Sequence, residues 1–180
     1  MIVGNSSNGK TISFQVFYYL CEALSGKLSR GYIPDLSHIK LDTIPVDFVV
    51  DAILCSLNSP EKTGNILHLC SGPKHSIKIS ELINLINQKW KSKGVEISSQ
   101  RKFPLPIFLR LYPLITKLCC PPKYKKQFAS MKNVFACARK NQTFANEDTL
   151  EFLEEKGMRI PKFSEYGTNV LDYYLEKKSK

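Results

Sequence analysis

The sequence predicts an α/β fold in which the edge of a parallel sheet is followed by a mostly helical C-terminal part. Three observations predict it. Two short apolar segments, at 2–3 and 65–70, have the composition of buried strands. Each of them is followed by apolar residues at helical spacing, and beyond about residue 104 the spacing is helical throughout. Because two strands alone do not make a stable parallel sheet, we expect the rest of the sheet to lie outside this sequence.

The chain opens with three apolar residues that run into a polar, glycine-rich turn, "MIVGNSSNGK". This pattern is typical of a buried strand that ends in a loop. Apolar residues at three- and four-residue spacing then predict a helix from Thr11 to Leu24, with Gly26 as its stop. Residues 26–43 mix Gly, Pro, Ser and Asp, and they predict a long connection of the kind that often carries function.

The middle of the sequence predicts a helix, a strand and a second helix. The residues around Pro45 are expected to be extended, because a residue before proline avoids the helical region. A helix should start at Pro45 or Asp47 and end near Leu57. The almost wholly apolar segment 65–70 suits a strand in the interior of a parallel sheet. Ser80 is expected to cap the amphipathic helix that follows.

The C-terminal part predicts four more helices. Their expected bounds are 105–118, about 123–139, 146–156 and 164–177. The basic run 117–140 is interleaved with aromatic residues, a combination that binds single-stranded nucleic acid in some proteins. The aromatic residues recur at helical spacing, however, so a core face with a solvated basic face is the better interpretation, and nucleic acid is not an expected partner.

Composition and charge narrow the class of protein. The 180 residues carry a formal net charge of +10, which favours a polyanionic partner or is simply a solvated basic surface. The six cysteines show no CxxC and no spacing with histidine that suits zinc, so free thiols in a cytoplasmic, reducing compartment are expected. The longest apolar run, 105–118, is interrupted by Arg110 and Lys117 and is too short to span a bilayer.

Several segments, in this order, resemble the extended short-chain dehydrogenases/reductases. "MIVGNSSNGK" is similar to the segment after the catalytic helix of that family, and "IPVDFVVDAIL" to the passage from a strand into a helix at the active site. "GNILHLCSGPKHSIKISELINLI" resembles the late strand and helix. "PVDFVV" and "TLEFLEEKGMRIPKF" are most similar to the branch that contains the thioester reductases and the fatty acyl-CoA reductases of the male sterility type.

The resemblance implies a partial Rossmann-type sheet edge and a helical substrate-binding cap. Residues 1–100 would be the C-terminal part of an NAD(P)-binding Rossmann-like domain, and 101–180 the cap. The implied activity is NADPH-dependent reduction of an acyl thioester to an aldehyde or alcohol. The implied substrate is acyl-CoA or an acyl or peptidyl chain on the phosphopantetheine arm of a carrier protein.

The resemblance also implies that the cofactor-binding half belongs before Met1. There a Gly-rich turn holds the NADP pyrophosphate and a Tyr-x-x-x-Lys pair supplies the proton. No GxGxxG or GxxGxxG follows an apolar strand here, and the lysine after Tyr112 comes one residue late, at Lys117. We therefore expect no catalytic pair in this chain, no hydride transfer by it alone, and a separate N-terminal Rossmann chain or segment as a partner.

By the same resemblance, the first turn would pass near the nicotinamide and the reacting carbonyl. The residues so assigned to the cofactor are Val3, Gly4, Asn5 and Ser6. An ordinary polar turn, with Gly4 and Gly9 present for positive φ, is the alternative. Asp47 and Phe48 are assigned to the substrate pocket wall, and a helix-capping role for the Asp47 carboxylate is the favoured alternative.

The loop with Lys27, Arg30, Tyr32 and His38 would cover the acyl or pantetheine channel. Lys27 and Arg30 would then pair with a carrier phosphate, because guanidinium forks suit phosphate oxygens. The alternative is solvated surface charge. In the family the segment 104–118 helps to build the acyl-binding lid. The alternatives for this segment are a core helix, or a membrane-surface helix with Lys123, Lys125 and Lys126 at the lipid headgroups.

Three hypotheses about function remain open at this point. The first is the substrate-binding half of an NADPH-dependent thioester or acyl-CoA reductase. The second is a non-catalytic remnant that serves as an acyl or protein interaction module. The third is a basic binder of membrane surfaces or nucleic acid, which predicts salt-sensitive binding to anionic vesicles or oligonucleotides.

Overall fold

The computed structural model describes residues 1–59, 64–97, 99–138 and 144–178. Its strands are β1 (Ile2–Val3), β2 (Tyr32–Asp35), β3 (Lys40–Leu41), β4 (Ile44–Pro45), β5 (Ile77–Lys78) and β6 (Arg101–Pro104). Its α-helices are α1 (Val16–Leu24), α2 (Val46–Leu57), α3 (Gly72–His75), α4 (Ile79–Ser92), α5 (Leu105–Leu118), α6 (Lys125–Ala138), α7 (Glu147–Glu155) and α8 (Phe163–Lys178). Among these residues, no helix combines the length and the apolar character needed to cross a bilayer.

The strands form short pairs, two of which are parallel. In the first, β1 lies beside β4, with Ile2 opposite Ile44. In the second, β2 lies beside β6, from Tyr32 opposite Arg101 to Asp35 opposite Pro104. A third pair joins β3 and β5. The parallel pairs and the many helices confirm the predicted α/β class with only the edge of a parallel sheet.

The chain folds as two compact units that interleave along the sequence. The described residues of the first unit are 1–13, 40–59, 64–77 and 144–178, and those of the second are 14–39, 78–97 and 99–138. The predicted boundary at residue 100 falls within the second unit. That boundary came from the family resemblance and not from contacts between residues, and it stays a prediction.

The core of the first unit lies between α2, α7 and the segment that precedes α8. Ala52 of α2 is buried together with Phe152, Leu153 and Ile160. Phe48 is partly buried against the same cluster. Thus α2 uses a narrow face for the core, and Ala52 is its one fully buried residue.

The core of the second unit is aromatic and lies among α1, α4, α5 and α6. Tyr112 stacks on Phe128, with ring centroids 4.9 Å apart, and Phe135 meets Phe108 edge-on at 5.6 Å. Trp90, the only tryptophan of the sequence, is buried on α4. The aromatic residues of the basic run therefore serve the core at Phe128 and Phe135, as their spacing predicted.

The predicted buried strand at 65–70 is wrong. The segment forms no strand, and Ile66 is 80% exposed. The backbone N–H of His68 donates to Thr149 Oγ1 of α7 at 2.8 Å, so a side chain takes the place of a strand partner. The ring of His68 is exposed, and its Nδ1 lies 3.1 Å from the carbonyl oxygen of Ala145.

Several element boundaries also differ from expectation. The helix expected from Thr11 starts at Val16, because a turn in which Thr11 Oγ1 donates to the Ser13 carbonyl precedes it. The predicted connection 26–43 contains both β2 and β3. Ser80 is no cap, since α4 already begins at Ile79.

The bounds of most of the longer helices were predicted well. The helices α2, α5, α7 and α8 lie within about two residues of their expected bounds. The expected helix 123–139 begins at Lys125, after a short 3₁₀ turn, and its expected end at Arg139 falls outside the described residues.

Candidate functional site

The glycine-rich turn after β1 is closed by its own backbone. The N–H of Asn5 donates to the Lys10 carbonyl at 2.9 Å, and the N–H of Gly9 donates to the Asn5 carbonyl at 2.8 Å. The Asn5 side-chain oxygen accepts from the backbone and the hydroxyl of Ser7 at 3.0 and 2.7 Å. These bonds fix the turn as a rigid loop at the carboxyl end of a parallel strand, where α/β folds often place binding residues.

The two glycines of this turn are needed for different reasons. Gly9 has φ +69°, and a Cβ there would lie 2.1 Å from the carbonyl oxygen of Asn169 in α8. Gly4 does not have positive φ, so the polar-turn alternative is wrong about this residue, but a Cβ would lie 2.2 Å from the Gly9 carbonyl oxygen. Gly9 therefore supplies both conformation and space, and Gly4 supplies space alone.

Asp47 anchors the turn to the start of α2. Its two carboxylate oxygens accept from the Ser6 backbone N–H at 2.9 Å and from the Ser6 hydroxyl at 2.5 Å. The amide of Asn169 donates to the Ser6 carbonyl at 2.9 Å. The structure thus brings together two of the residues predicted for the cofactor and substrate sites. The carboxylate of Asp47 binds a neighbouring loop, a contact 41 residues distant in sequence.

A second polar contact joins the start of β4 to α8. The hydroxyl of Tyr166 donates to the carbonyl of Thr43 at 2.9 Å and lies 2.9 Å from the Thr43 hydroxyl. Burial raises the pKa of Tyr166 above its ordinary value, and the hydrogen bond to Thr43 opposes that rise. Tyr166 is therefore a neutral structural contact rather than an acid near neutral pH.

The Tyr-x-x-x-Lys spacing expected to be missing is in fact present in the sequence. On α8, Tyr173 is followed by Lys177, and Tyr174 by Lys178. In both pairs the lysine Nζ lies 5.6 Å from the centre of the tyrosine ring. These are contacts of a cation with a ring face. In this chain the spacing thus places each lysine against a tyrosine ring of the same helix.

The outer side of α2 is a row of exposed apolar side chains, which we call the α2 stripe. It consists of Val46, Val50, Ile53, Leu54 and Leu57. Their exposed fractions run from 37% at Val46 to 75% at Leu57. Spacings of three and four residues place them on one side of the helix. Contiguous exposed apolar surface of this kind marks an interaction site in soluble proteins.

In the second unit, a tight turn presents Arg30. The N–H of Gly31 donates to the Gly26 carbonyl at 2.8 Å, and both glycines have positive φ. Arg30 itself has φ 50°, and among the described residues it is the one non-glycine residue with positive φ. A left-handed conformation costs a non-glycine residue about 1 kcal/mol. The turn therefore holds an exposed arginine in a conformation that it does not prefer.

Arg30 opens onto a cleft of about 470 Å³, which we call the arginine cleft. It is lined by Arg30, Tyr32, Ser99, Arg101, Leu118 and Cys119. The guanidinium carbon of Arg101 lies 6.0 Å from the centre of the Tyr32 ring. Two of the residues predicted for substrate binding, Arg30 and Tyr32, thus share a cavity of the size that binds small ligands, whereas Lys27 does not line it.

Sequence reasoning missed the other half of this cleft. Arg101 is the first residue of β6, and Ser99 lies two positions before it. The strand β6 was not predicted. Its pairing with β2 joins residues about 70 positions apart, such as Tyr32 and Arg101. The local signal is weak, because the segment "RKFP" shows no alternation of polar and apolar residues and ends in proline.

The helix α5 carries apolar residues on two sides. Phe108, Tyr112 and Ile115 face the core. On the other side lies an exposed row, which we call the α5 stripe: Ile107, Leu111, Leu114 and Leu118. The core-helix interpretation therefore accounts for one side only. Leu118 belongs both to the α5 stripe and to the arginine cleft.

A larger, open groove of about 730 Å³ lies at the end of α4. Its wall includes Gln100, whose side-chain amide donates to the Leu24 carbonyl at 3.0 Å and to Asn87 Oδ1 at 2.9 Å. These bonds hold the approach to β6 against α1 and α4. The groove thus has a structural polar group in its wall.

Comparison with known proteins finds solved structures with a similar fold. No protein-family model matches the chain, and no curated protein matches it. Among solved structures, the terminal R domain from the myxalamid PKS-NRPS biosynthetic pathway matches 99% of this chain with a TM-score of 0.66 and 19% identity. A thiolation-reductase di-domain from an archaeal non-ribosomal peptide synthetase matches 99% with a TM-score of 0.60 and 17% identity.

These similarities are at the level of fold. The fold of this chain is that of a region of such reductase domains, in agreement with the α/β class described above. The chain covers 43% of the length of the first structure and 35% of the second.

Proposed function

We propose that this chain is the substrate-binding portion of a thioester reductase. It would act on an acyl or peptidyl chain held as a thioester on a phosphopantetheine arm and give an aldehyde or alcohol. The observation that carries the proposal is the fold match over 99% of the chain to a terminal R domain of a PKS-NRPS pathway. The order of the sequence motifs, which resembles the thioester reductase branch, supports it independently.

The α2 stripe supports the view that the chain works together with a further segment. Five exposed apolar residues on one helix, beside a parallel sheet pair of only two strands, are an incomplete α/β layer. We propose that the cofactor-binding half, as part of the same protein or as a separate chain, covers this surface. The reducing cofactor would be NADPH and would be held mainly by that half.

We further propose two groups of site residues. Val3, Gly4, Asn5 and Ser6 would lie on the nicotinamide side, and Asp47 would hold this turn in place through its two bonds to Ser6. Lys27, Arg30, Tyr32, Asp47 and Phe48 remain the proposed substrate-binding residues. Arg30 and Tyr32 have the strongest support, because they line one cavity. Residues 1–100 would derive from the Rossmann-like domain and 101–180 from the cap.

The test is a binding titration of the purified 180-residue chain. NADPH fluorescence is followed first alone and then with acyl-CoA present, and acyl-CoA binding is measured separately by calorimetry. We expect acyl-CoA to bind and NADPH not to bind. Tight NADPH binding by this chain alone would contradict the assignment of the cofactor to another half. Absence of any acyl-CoA or acyl-phosphopantetheine binding would contradict the substrate-binding role.

One observation favours a second candidate function. The α5 stripe, with Lys117 in the last turn of the helix, has the composition of a membrane-surface helix. Under that hypothesis the chain binds anionic vesicles, and added salt weakens the binding. Vesicle flotation at low and high salt separates the two candidates, since a soluble acyl thioester would not need an anionic surface.

A further inference from the structure

We propose that the arginine cleft and the α5 stripe form one continuous site for a phosphate ester that carries an acyl chain. The phosphate would lie between Arg30 and Arg101, and the chain would follow α5 from Leu118 toward Ile107. This proposal rests on the function proposed above and deepens it, because it assigns the phosphate and the chain to separate residues of the second unit.

The strand register brings the two guanidinium groups to one cavity. Tyr32 lies directly opposite Arg101 in the parallel pair of β2 and β6. Arg30 precedes Tyr32 by two residues and Ser99 precedes Arg101 by two, and all four residues line the cleft. Phe103, two residues beyond Arg101, has its ring 5.6 Å from that of Tyr32. The Tyr32 ring therefore contacts both β6 side chains and limits the positions open to Arg101.

The charge of the cleft selects an anion. None of its six lining residues is acidic, and two of them are arginines. Asp35, the acidic residue of β2, accepts hydrogen bonds from the backbone N–H and the hydroxyl of Ser37 at 3.1 and 2.7 Å. Guanidinium groups bind phosphate oxygens through paired N–H donors. A phosphate monoester or diester is thus the ligand chemistry that this wall fits.

The apolar part of the site begins where the cleft ends. Leu118 lines the cleft, and Leu114, Leu111 and Ile107 continue from it along one side of α5. At 1.5 Å per residue, this row runs about 16 Å along the helix. The exposed fractions of its members lie between 38% and 62%. A ligand with a phosphate at one end and an acyl chain at the other would cover both parts.

The test compares acyl-phosphopantetheine with acyl-pantetheine, which lacks the phosphate, by calorimetry on the full 180-residue chain. We expect the phosphate-free compound to bind at least tenfold more weakly, the effect of losing a hydrogen bond to a charged group. Arg30→Gln and Arg101→Gln should each weaken the phosphate compound about tenfold and leave the other unchanged. Lys102→Gln is the matched control, since it removes one charge from the adjacent, exposed position of the same strand.

The acyl chain is tested with a series of chain lengths. An open stripe covers one side of a chain, so each added methylene should strengthen binding about twofold, about half of the free-energy gain of full burial. Leu114→Asn should reduce this dependence on length. Leu54→Asn, which makes the same change on α2, should not.

The position of the ligand is tested by alkylation with iodoacetamide and peptide mass spectrometry. Cys119 lines the cleft, whereas Cys137 is exposed on α6 and does not. Acyl-phosphopantetheine should slow alkylation of Cys119 and leave Cys137 unaffected. Equal rates at Cys119 with and without ligand, in the presence of measurable binding, would overturn the placement.

Three other results would overturn the proposal. The first is equal affinity for the compounds with and without phosphate. The second is a lower Tm in Arg30→Gln and Arg101→Gln without a change in binding, because the arginines would then only stabilise the carboxyl end of α5. The third is binding to anionic vesicles that is stronger than binding to any soluble ester.

The same measurements separate this proposal from the proposed function. Acyl thioester binding that ignores the phosphate would sink the arginine site and leave the reductase role intact. Arginine-dependent binding of phosphopantetheine that ignores the acyl chain would leave the anion site and sink the thioester role. Comparing acyl-CoA with acyl-phosphopantetheine shows which phosphate is bound, the nucleotide's or the arm's.

Discussion

The two units of the chain use their polar groups in opposite ways. In the first unit, the turn predicted to meet the cofactor makes its polar contacts within the unit. Asp47 accepts two hydrogen bonds from Ser6, and α8 contacts both Ser6 and Gly9. In the second unit, Arg30 and Arg101 face an open cleft, and none of the described residues that line it is acidic. The first unit also exposes a row of apolar side chains, the α2 stripe.

This difference separates two kinds of binding. A surface with satisfied polar groups and an exposed apolar row is suited to association with another folded segment. A cavity lined by two guanidinium groups is suited to a small anion. We therefore expect substitutions in the first unit to change stability and association, and substitutions in the cleft to change ligand binding.

The largest effect is expected in the aromatic core of the second unit. Phe135→Ala removes a side chain that is 1% exposed and contacts the rings of Phe108 and Tyr112. We expect a loss of about 4 kcal/mol in the free energy of unfolding. The measurement is urea unfolding followed by the fluorescence of Trp90, which lies in the same unit. Phe144→Ala, at a 54% exposed position, is the control and should change stability by less than about 0.5 kcal/mol.

The next effect is expected at the turn of the first unit. Gly9→Ala forces a Cβ against the backbone of α8, at 2.1 Å from the Asn169 oxygen, in a left-handed conformation. We expect a loss of about 3 kcal/mol, seen as a lower midpoint in circular dichroism. Gly157→Ala has nearly the same φ, +71°, and open space around it, so it should cost only about 1 kcal/mol. Equal losses would mean that the turn does not pack on α8 as described.

A smaller effect is expected from the anchor of that turn. Asp47→Ala removes both acceptors of Ser6 and leaves its part-buried N–H without that bond. We expect a loss of about 2 kcal/mol in urea unfolding. Asp51→Ala, one turn further along α2 and exposed, is the control and should be close to neutral. A neutral Asp47→Ala would instead support a role of this carboxylate in binding.

The smallest effect on stability is expected at the α2 stripe. Replacing Leu54 and Leu57 by Gln changes exposed positions and should shift the free energy of unfolding by less than about 0.5 kcal/mol. The same change should lower the binding of a dye that reports exposed apolar surface. A large loss of stability would show that these side chains are covered within this chain.

The helices α5, α7 and α8 were predictable because their sequences carry local signals. The helix α7 is preceded by Asn146 and carries Glu147 and Asp148 in its first turn, and these signals gave its position. The strand pairs have no such signal, since β2 meets β6 across about 70 residues. The segment 65–70 was misread for the same reason: its apolar composition predicts burial, but burial requires a sheet partner.

The candidate site was predictable to a similar degree. Arg30 and Tyr32 were assigned through the family resemblance, because they lie in the loop that would cover the acyl or pantetheine channel. Arg101 was missed because it shares a cavity with them only through strand pairing. The contact between Ser6 and Asp47 was missed as well, although both residues had been singled out separately.

The left-handed conformation of Arg30 also bears on how this protein would respond to engineering. Arg30→Gly would relieve about 1 kcal/mol of backbone strain, so a selection for heat resistance alone would favour the loss of this side chain. A selection for ligand capture would favour its retention. Position 30 is therefore a place where thermostability and affinity would be optimised by different residues, and variants from the two selections should diverge there first.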